Sequence, residues 1–270
     1  MSVAAAELPE LSREVNQREG FVKRAQAGLG AIAFWMMLVS VMYLVAGDLV
    51  VGVLFQGGKF SPDDTILVWC VLGAYALGLP ATGLSRLLNN VCYAHGDTAG
   101  PARIASARVI IAAGIGVVVM FPLDRVMVQA GELLGLGEVW GFAWALSEEQ
   151  REMSDIVRLG AAGLALGSAV AAWLEFGLLA RRVRKHVTGL EVVAPLARLV
   201  PCVVVVAVVG LVAKLAMGSA SLGSTSLYVE AVVVLAVTVL AYVGAAYVFG
   251  IAEVRLLVDP LQKVLKIGRK

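Results

Sequence analysis

The sequence predicts an all-α, polytopic integral membrane protein with about six transmembrane helices and both termini cytoplasmic. Three observations predict it. Of 270 residues, 60% are hydrophobic and 16% charged, against about a quarter charged in soluble domains. The mean hydropathy is +0.86. The charges are spaced so that six apolar runs each approach the roughly 20 residues needed to cross about 30 Å of hydrocarbon at 1.5 Å per residue. The balance of 22 basic and 20 acidic residues excludes a nucleic-acid binder, which needs a basic excess on one face. Cys70, Cys92 and Cys202 lie in apolar runs without CxxC spacing, the pattern of buried thiols and not of a metal site or a disulfide framework.

The first span runs from about Ala25 to Gly47 behind a cytoplasmic amphipathic lead-in, 1–24. Glu7, Glu10, Glu14 and Glu19 in that lead-in do not suit a cleavable signal peptide. The second extends from Thr65 to Ser85 and continues as a polar-tipped helix towards Tyr93, with Pro80 inside it. There the missing N–H frees a carbonyl and bends the helix. The third lies between about Ile104 and Leu123, the fourth between Leu159 and Ala180, the fifth between about Leu199 and Met217, and the sixth between Ala231 and Ala252. Residues 25–181 are thus read as a four-helix lobe carrying an extracytoplasmic insertion at 123–158, and 182–252 as two further helices. The insertion holds Trp140, Phe142 and Trp144 ahead of an acidic stretch suited to a short helix starting near Ser147. The tail, 253–270, sets Leu256, Leu257, Leu261, Val264 and Leu265 beside Lys263, Lys266 and Arg269, a basic amphipathic helix for an anionic leaflet.

Orientation follows from lysine and arginine, because basic loops resist translocation. Arg13, Arg18, Lys23 and Arg24 precede the first span, Arg103 and Arg108 follow the second, Arg181, Arg182, Arg184, Lys185 and Arg198 follow the fourth, and Arg255 with the tail lysines follows the sixth. All four groups share one side when the helices alternate.

Ionisable residues inside a span are costly and therefore candidates for function. Arg108 lies a few residues inside the third span, where it either snorkels to the interface or serves a site. Glu175 stands about a turn and a half before Arg181 and Arg182, suited either to a basic partner or to a cavity wall. Lys214 is near the outer end of the fifth span and reads as a snorkelling lysine. Arg86, Asn89 and Asn90 occupy the inner part of the second span, which a polar cavity would explain. In the turn that follows, Gly96 and Gly100 permit a tight reversal, Asp97 or Thr98 can cap exposed amides, and Pro101 suits the first position of the next helix. There is no HExxH, GxSxG or GxxxxGK[ST] sequence, and His95 and His186 are isolated in loops, so the chain reads as neither an enzyme nor an ATPase.

Several segments carry a family resemblance. SVAAAELPELSR, LFQGGKFSPDDT, AYALGLPATGLSRLLNNVCYAHGDTAGPARIA and GAAGLALGSAVAAWLEFGLLARRVRK resemble the C-terminal part of the MurJ (MviN) lipid II flippases, members of the multidrug/oligosaccharidyl-lipid/polysaccharide exporter superfamily. The most specific part is the turn with Tyr93, Gly96, Asp97, Thr98 and Pro101. Arg86 matches a basic residue of the family. The chain departs from it at Ala112 and Gly116, where asparagines are frequent, at Glu175, near another, and at Ala99-Gly100, where Arg-Thr or Lys-Thr precedes the proline.

The resemblance implies that the six spans correspond to family helices nine to fourteen. It implies part of a flippase that moves a polyprenyl-linked cell wall precursor across the bacterial cytoplasmic membrane by alternating access, for peptidoglycan synthesis and cell shape. Arg86, Asn89, Asn90, Arg108 and Glu175 would then line the substrate cavity, and spans five and six would form the groove for the polyprenyl tail. No metal or cofactor is implied; coupling would be to membrane potential or a monovalent ion. The partners would be membrane lipids and an N-terminal lobe, supplied by the same full-length protein or by a separate chain. Two alternatives remain open: an exporter of another polyprenyl-linked glycan or a drug cation, and a non-transporting scaffold that is a split or decayed half.

Overall fold

The computed structural model describes residues 18–129, 132–135, 157–218 and 226–254. Among the described residues six helices are long and apolar enough to cross a membrane: α1 (Arg18–Phe55), α2 (Pro62–Ala94), α3 (Ala99–Leu123), α4 (Gly160–His186), α5 (Ala194–Gly218) and α6 (Ser226–Val248). The first, second, third and fifth contain the apolar run read from the sequence and overrun it at one or both ends, because helical hydrogen bonding continues into the polar flanks; α4 begins one residue after Leu159, and α6 begins ahead of Ala231 and stops at Val248, short of Ala252. The chain is a polytopic all-α membrane protein. Most of the lead-in, the centre of the insertion at 136–156 with its aromatic anchor and expected short helix, and the amphipathic tail beyond Val254 lie outside the described residues.

The helices form a row, α3 against α4, α4 against α2, and α2 against α1; α5 and α6 pack on each other and on the far side of α1. Their alternation brings the starts of α1, α3 and α5 to the same end as the finishes of α2, α4 and α6. At that end Gln26 and Glu191 exchange two side chain–backbone hydrogen bonds of 3.0 Å, and the Phe21 and His95 rings meet edge to face at 5.0 Å.

The link from α1 to α2 turns at Gly58, whose φ of +60° favours glycine. Helix α2 then starts on a capping box, with the Ser61 hydroxyl accepting the Asp64 N–H at 3.2 Å and the Asp64 carboxylate accepting the Ser61 N–H at 2.8 Å. Pro80 is buried in the middle of this helix. It cannot donate to the carbonyl four residues back, that of Ala76, and the buried Ser40 hydroxyl of α1 donates to that oxygen at 2.7 Å. The neighbouring Leu77 carbonyl accepts the Trp173 indole N–H of α4 at 2.9 Å. The proline thus frees the acceptor through which α2 is tied to α1, and the Leu77 carbonyl ties α2 to α4.

The core centres on α1. Phe34, Leu29 and Val41 are fully buried, as is Tyr242 of α6, whose hydroxyl donates to the Phe34 carbonyl at 2.8 Å. In hydrocarbon such a bond removes the cost of an unsatisfied hydroxyl.

One feature departs from the expected all-helical pattern. The roots of the insertion form a three-stranded antiparallel sheet in the order β2-β1-β3, from β1 (Met127–Gln129), β2 (Glu132–Leu134) and β3 (Val157–Arg158). Val126, Val128 and Leu159 are buried against Ile66, Leu67 and Cys70 near the start of α2. Strands this short carry no periodicity that a sequence reading can detect.

Candidate functional site

The site begins with the contact between α3 and α4. A Cβ on Gly163 would lie 2.6 Å from the Met120 Cα, and one on Gly167 would collide with the Gly116 backbone. Glycine at these positions lets the two backbones touch, the small-residue mode of packing between membrane helices. These contacts also set the register. Eight residues back along α3 from Gly116 and eight on along α4 from Gly167 stand Arg108 and Glu175. They are level with each other, and the Arg108 Nη1 donates to Glu175 Oε2 at 2.6 Å. Glu175 is 5% exposed and Arg108 28%. The two ionisable residues that the sequence placed separately inside spans are therefore one ion pair. Arg108 does not snorkel, and the basic partner of Glu175 is not Arg181 or Arg182, about a turn and a half or more further along its own helix.

Arg86 shares a face of the helix row with this pair. The Trp173–Leu77 hydrogen bond marks one side of the α2–α4 contact. At about 100° per residue, Glu175 is turned about 200° from Trp173 on α4, and Arg86 about 180° from Leu77 on α2, so both lie on the opposite side. Because a Cβ on Gly78 would meet the Ala169 backbone at 2.8 Å, Arg86 is within about one turn of Glu175 in depth. Arg86 is exposed, as is Tyr93 two turns further along the same stripe, and Asn90 is half-buried. Asn89 turns towards α4; its Oδ1 is buried with no hydrogen-bond partner, as is the hydroxyl of Ser85 one turn earlier. Ser85 was not among the expected site residues, since a serine in an apolar span gives no sequence signal of its own.

The turn after α2 closes the inner end of the same face. Gly96 adopts φ +75°. Thr98 occupies the N-cap position of α3 but makes no side-chain cap bond; Asp97 provides it, its Oδ1 accepting the Gly100 N–H at 3.1 Å. Pro101 is the third residue of α3 and not the first. Asp97 also accepts two hydrogen bonds from the Arg182 guanidinium, one of them at 3.0 Å from Nη2, and His186 Nε2 lies 3.3 Å from its Oδ2. The Arg182 guanidinium and the Gly100 N–H hold the Asp97 carboxyl far below the usual carboxylate range. Any side chain at position 100 would strike that guanidinium, so the departure from the family at Gly100 makes room for the Arg182–Asp97 contact. Neither Arg182 nor His186 was legible as a partner, being 85 and 89 residues away in sequence.

At the opposite end, Lys214 of α5 does not snorkel as expected. It reaches Asp48 of α1 at 2.6 Å, the Val45 carbonyl at 3.4 Å, and the Trp69 ring at 5.0 Å from its centroid. Among the described residues no group of three or more His, Cys, Asp or Glu is placed to hold a metal, and Cys70, Cys92 and Cys202 are free thiols.

Comparison with known proteins accords with this architecture. The family model for lipid II flippase MurJ matches residues 1–157, a stretch containing Arg86, Arg108 and the Asp97 turn but not Glu175. A probable lipid II flippase MurJ of Rickettsia prowazekii (strain Madrid E) is 26% identical over 149 residues, covering 54% of this chain and 29% of the relative. One of Rhizobium tropici is 28% identical over 127 residues, covering 46% and 23%. A solved structure of lipid II flippase MurJ in an inward closed conformation shares the fold, with a TM-score of 0.54 at 16% identity over 92% of this chain and 42% of that one. The chain thus spans less than half the length of the relatives it matches. More than half of its own length fits the family model, and on that ground the chain belongs to the lipid II flippase MurJ family.

Proposed function

We propose that this chain provides one wall of the translocation pathway of a lipid II flippase, with the basic end of the helices in the cytoplasm of a bacterium. The face of α2, α3 and α4 bearing Arg86 and the Arg108–Glu175 pair lines the path of the lipid-linked headgroup, and α5 with α6 offers the polyprenyl chain an apolar surface. The observation that carries this reading is the ion pair at membrane depth. Charges facing hydrocarbon are strongly disfavoured, whereas charges lining an aqueous path are not. Arginine suits phosphate because its planar fork donates two parallel hydrogen bonds. The chemistry is transport, with no bond made or broken, and movement of this lobe against an N-terminal lobe would expose the face alternately to each side.

The test is complementation in cells depleted of the full-length protein, with lipid II assayed in the outer leaflet. Replacing both Arg86 and Arg108 by Gln in an otherwise intact protein is expected to abolish its appearance there. Normal translocation by that variant, present at normal levels in the membrane, would sink the reading. Phosphate recognition is common to other polyprenyl-linked glycans, so competition between cargoes in reconstituted vesicles identifies which is moved.

A further inference from the structure

Hydrocarbon offers no acceptor, so an arginine within a span must direct its N–H groups to protein, water or ligand. Arg108 is nine residues into α3, ~14 Å along the helix axis from its start. A guanidinium carries five N–H donors. Among the described residues, that of Arg108 makes a single polar contact, Nη1 to Glu175 Oε2. The pairing is therefore one-pronged. The Arg108 side chain remains 28% exposed while that of Glu175 is almost wholly buried. A pair built only to hold α3 on α4 has no need of an accessible, largely unused cation, and the glycine contacts already hold those helices together.

We propose that Arg108 is a phosphate-binding residue and that Glu175 is its built-in counter-ion, a placeholder that occupies the guanidinium in the empty state and is displaced by a phosphate group. The inference rests on the reading that this face meets a lipid-linked phosphate. Glu175 gives the Arg108 guanidinium a counter-charge in the empty site, so that the cation does not stand unpaired at membrane depth. A diphosphate carries more charge than a carboxylate and more acceptor oxygens than Glu175 presents, so it can engage the unused prongs of Arg108. Arg86, on the same face and within about one turn in depth, adds a second cation for the phosphate. The carboxylate thus sets how tightly phosphate is held. It makes the site weak enough to release its ligand, as a transport pathway requires.

The test uses the full chain in dodecyl maltoside micelles, with farnesyl pyrophosphate as probe in one arm and phosphatidylglycerol in the other, and with binding read by calorimetry. Glu175→Gln is expected to bind farnesyl pyrophosphate about tenfold more tightly than the unaltered chain, and Arg108→Gln at least about tenfold more weakly. The double variant Arg108→Gln/Glu175→Gln, which leaves no unpaired charge and so guards against misfolding, is expected to bind as weakly as Arg108→Gln. Loss of structure does not tighten binding, so the direction of the Glu175→Gln effect separates a counter-ion from a merely structural residue. The same ranking with phosphatidylglycerol would support the site and assign its phosphate to the bilayer's own lipid. Unchanged or weaker binding by monodisperse Glu175→Gln would overturn the proposal, as would tight binding by the double variant or no binding of either probe by any form. Binding that depends on Arg108 but not on Glu175 would refute the placeholder and leave the flippase reading standing. The expected ranking combined with normal lipid II translocation by the full-length double-arginine variant would do the reverse.

Discussion

Lys214 and Arg108 are both cations within membrane-spanning helices, both paired to a carboxylate on a neighbouring helix at 2.6 Å, yet their surroundings differ. The Lys214 ammonium has Asp48, the Val45 carbonyl and the Trp69 ring around it; Arg108 has one oxygen of Glu175. The lysine joins α5 to α1 across an interface otherwise made of valines and other apolar groups, where a polar contact fixes how the helices dock. The arginine lies on an interface already held by glycine backbones. A charge whose bonding capacity is filled by the protein is there for architecture, and one left largely unfilled is available to a ligand.

The largest expected effect removes the glycine contact on which the arginine site depends. Gly167→Val forces a branched side chain into the Gly116 backbone and is expected to cost about 3 kcal/mol, read as loss of thermal stability in detergent. It should also abolish prenyl diphosphate binding, because Arg108 and Glu175 would no longer be level. Next comes the architectural cation. Lys214→Met leaves Asp48 unpaired, with an Oδ1 that already lacks a hydrogen bond, at an expected cost of about 2–3 kcal/mol, the partial exposure of the pair keeping the loss at or below the range for a broken buried ion pair. The double change Lys214→Met/Asp48→Leu should recover most of it, and binding should be unaffected throughout. Glu175→Gln is smaller in stability, within about 1 kcal/mol, since the amide oxygen still accepts from Arg108. If Glu175→Gln proved as destabilising as Lys214→Met, the distinction between the two cations would fail.

The smallest effect is a pH dependence at the inner turn. The folded Asp97 carboxyl has its pKa depressed by Arg182 and the Gly100 N–H. Its contribution to stability is therefore full above the unfolded value of about 3.9, declines as pH falls below that, and is gone below the depressed folded value. Melting temperature followed from pH 7 down to pH 3 should show no Asp97-dependent change until about pH 4. Asp97→Asn should remove the acid-side fall that remains.

The comparison also shows what could be read along the chain. Six spans were legible because each is an apolar run broken by at most one charge, and the Asp97 turn because glycine, aspartate and proline have local backbone consequences. Arg86, Arg108, Glu175 and Lys214 stood out as polar residues in apolar surroundings. Their meanings were not legible. Arg108 and Lys214 both suited snorkelling, which depends only on depth along one helix, and both instead point across to a neighbour. Gly100 read as a turn residue, although what it accommodates is a side chain of α4. Thr98 had the right chemistry for a cap and lost the role to Asp97, whose carboxylate is anchored by Arg182.

Hydropathy and local backbone preference depend on neighbours in sequence, so the sequence by itself determined the number of long apolar helices among the described residues, their approximate ends and the place of the charges along them. Pairing depends on which helices adjoin, how each is rotated and in what register they touch. Those were decided by the tertiary structure alone, through contacts as small as Gly116 on Gly167 and Gly210 on Val45, which accompany hydrogen bonds between residues 67 and 169 positions apart in the chain.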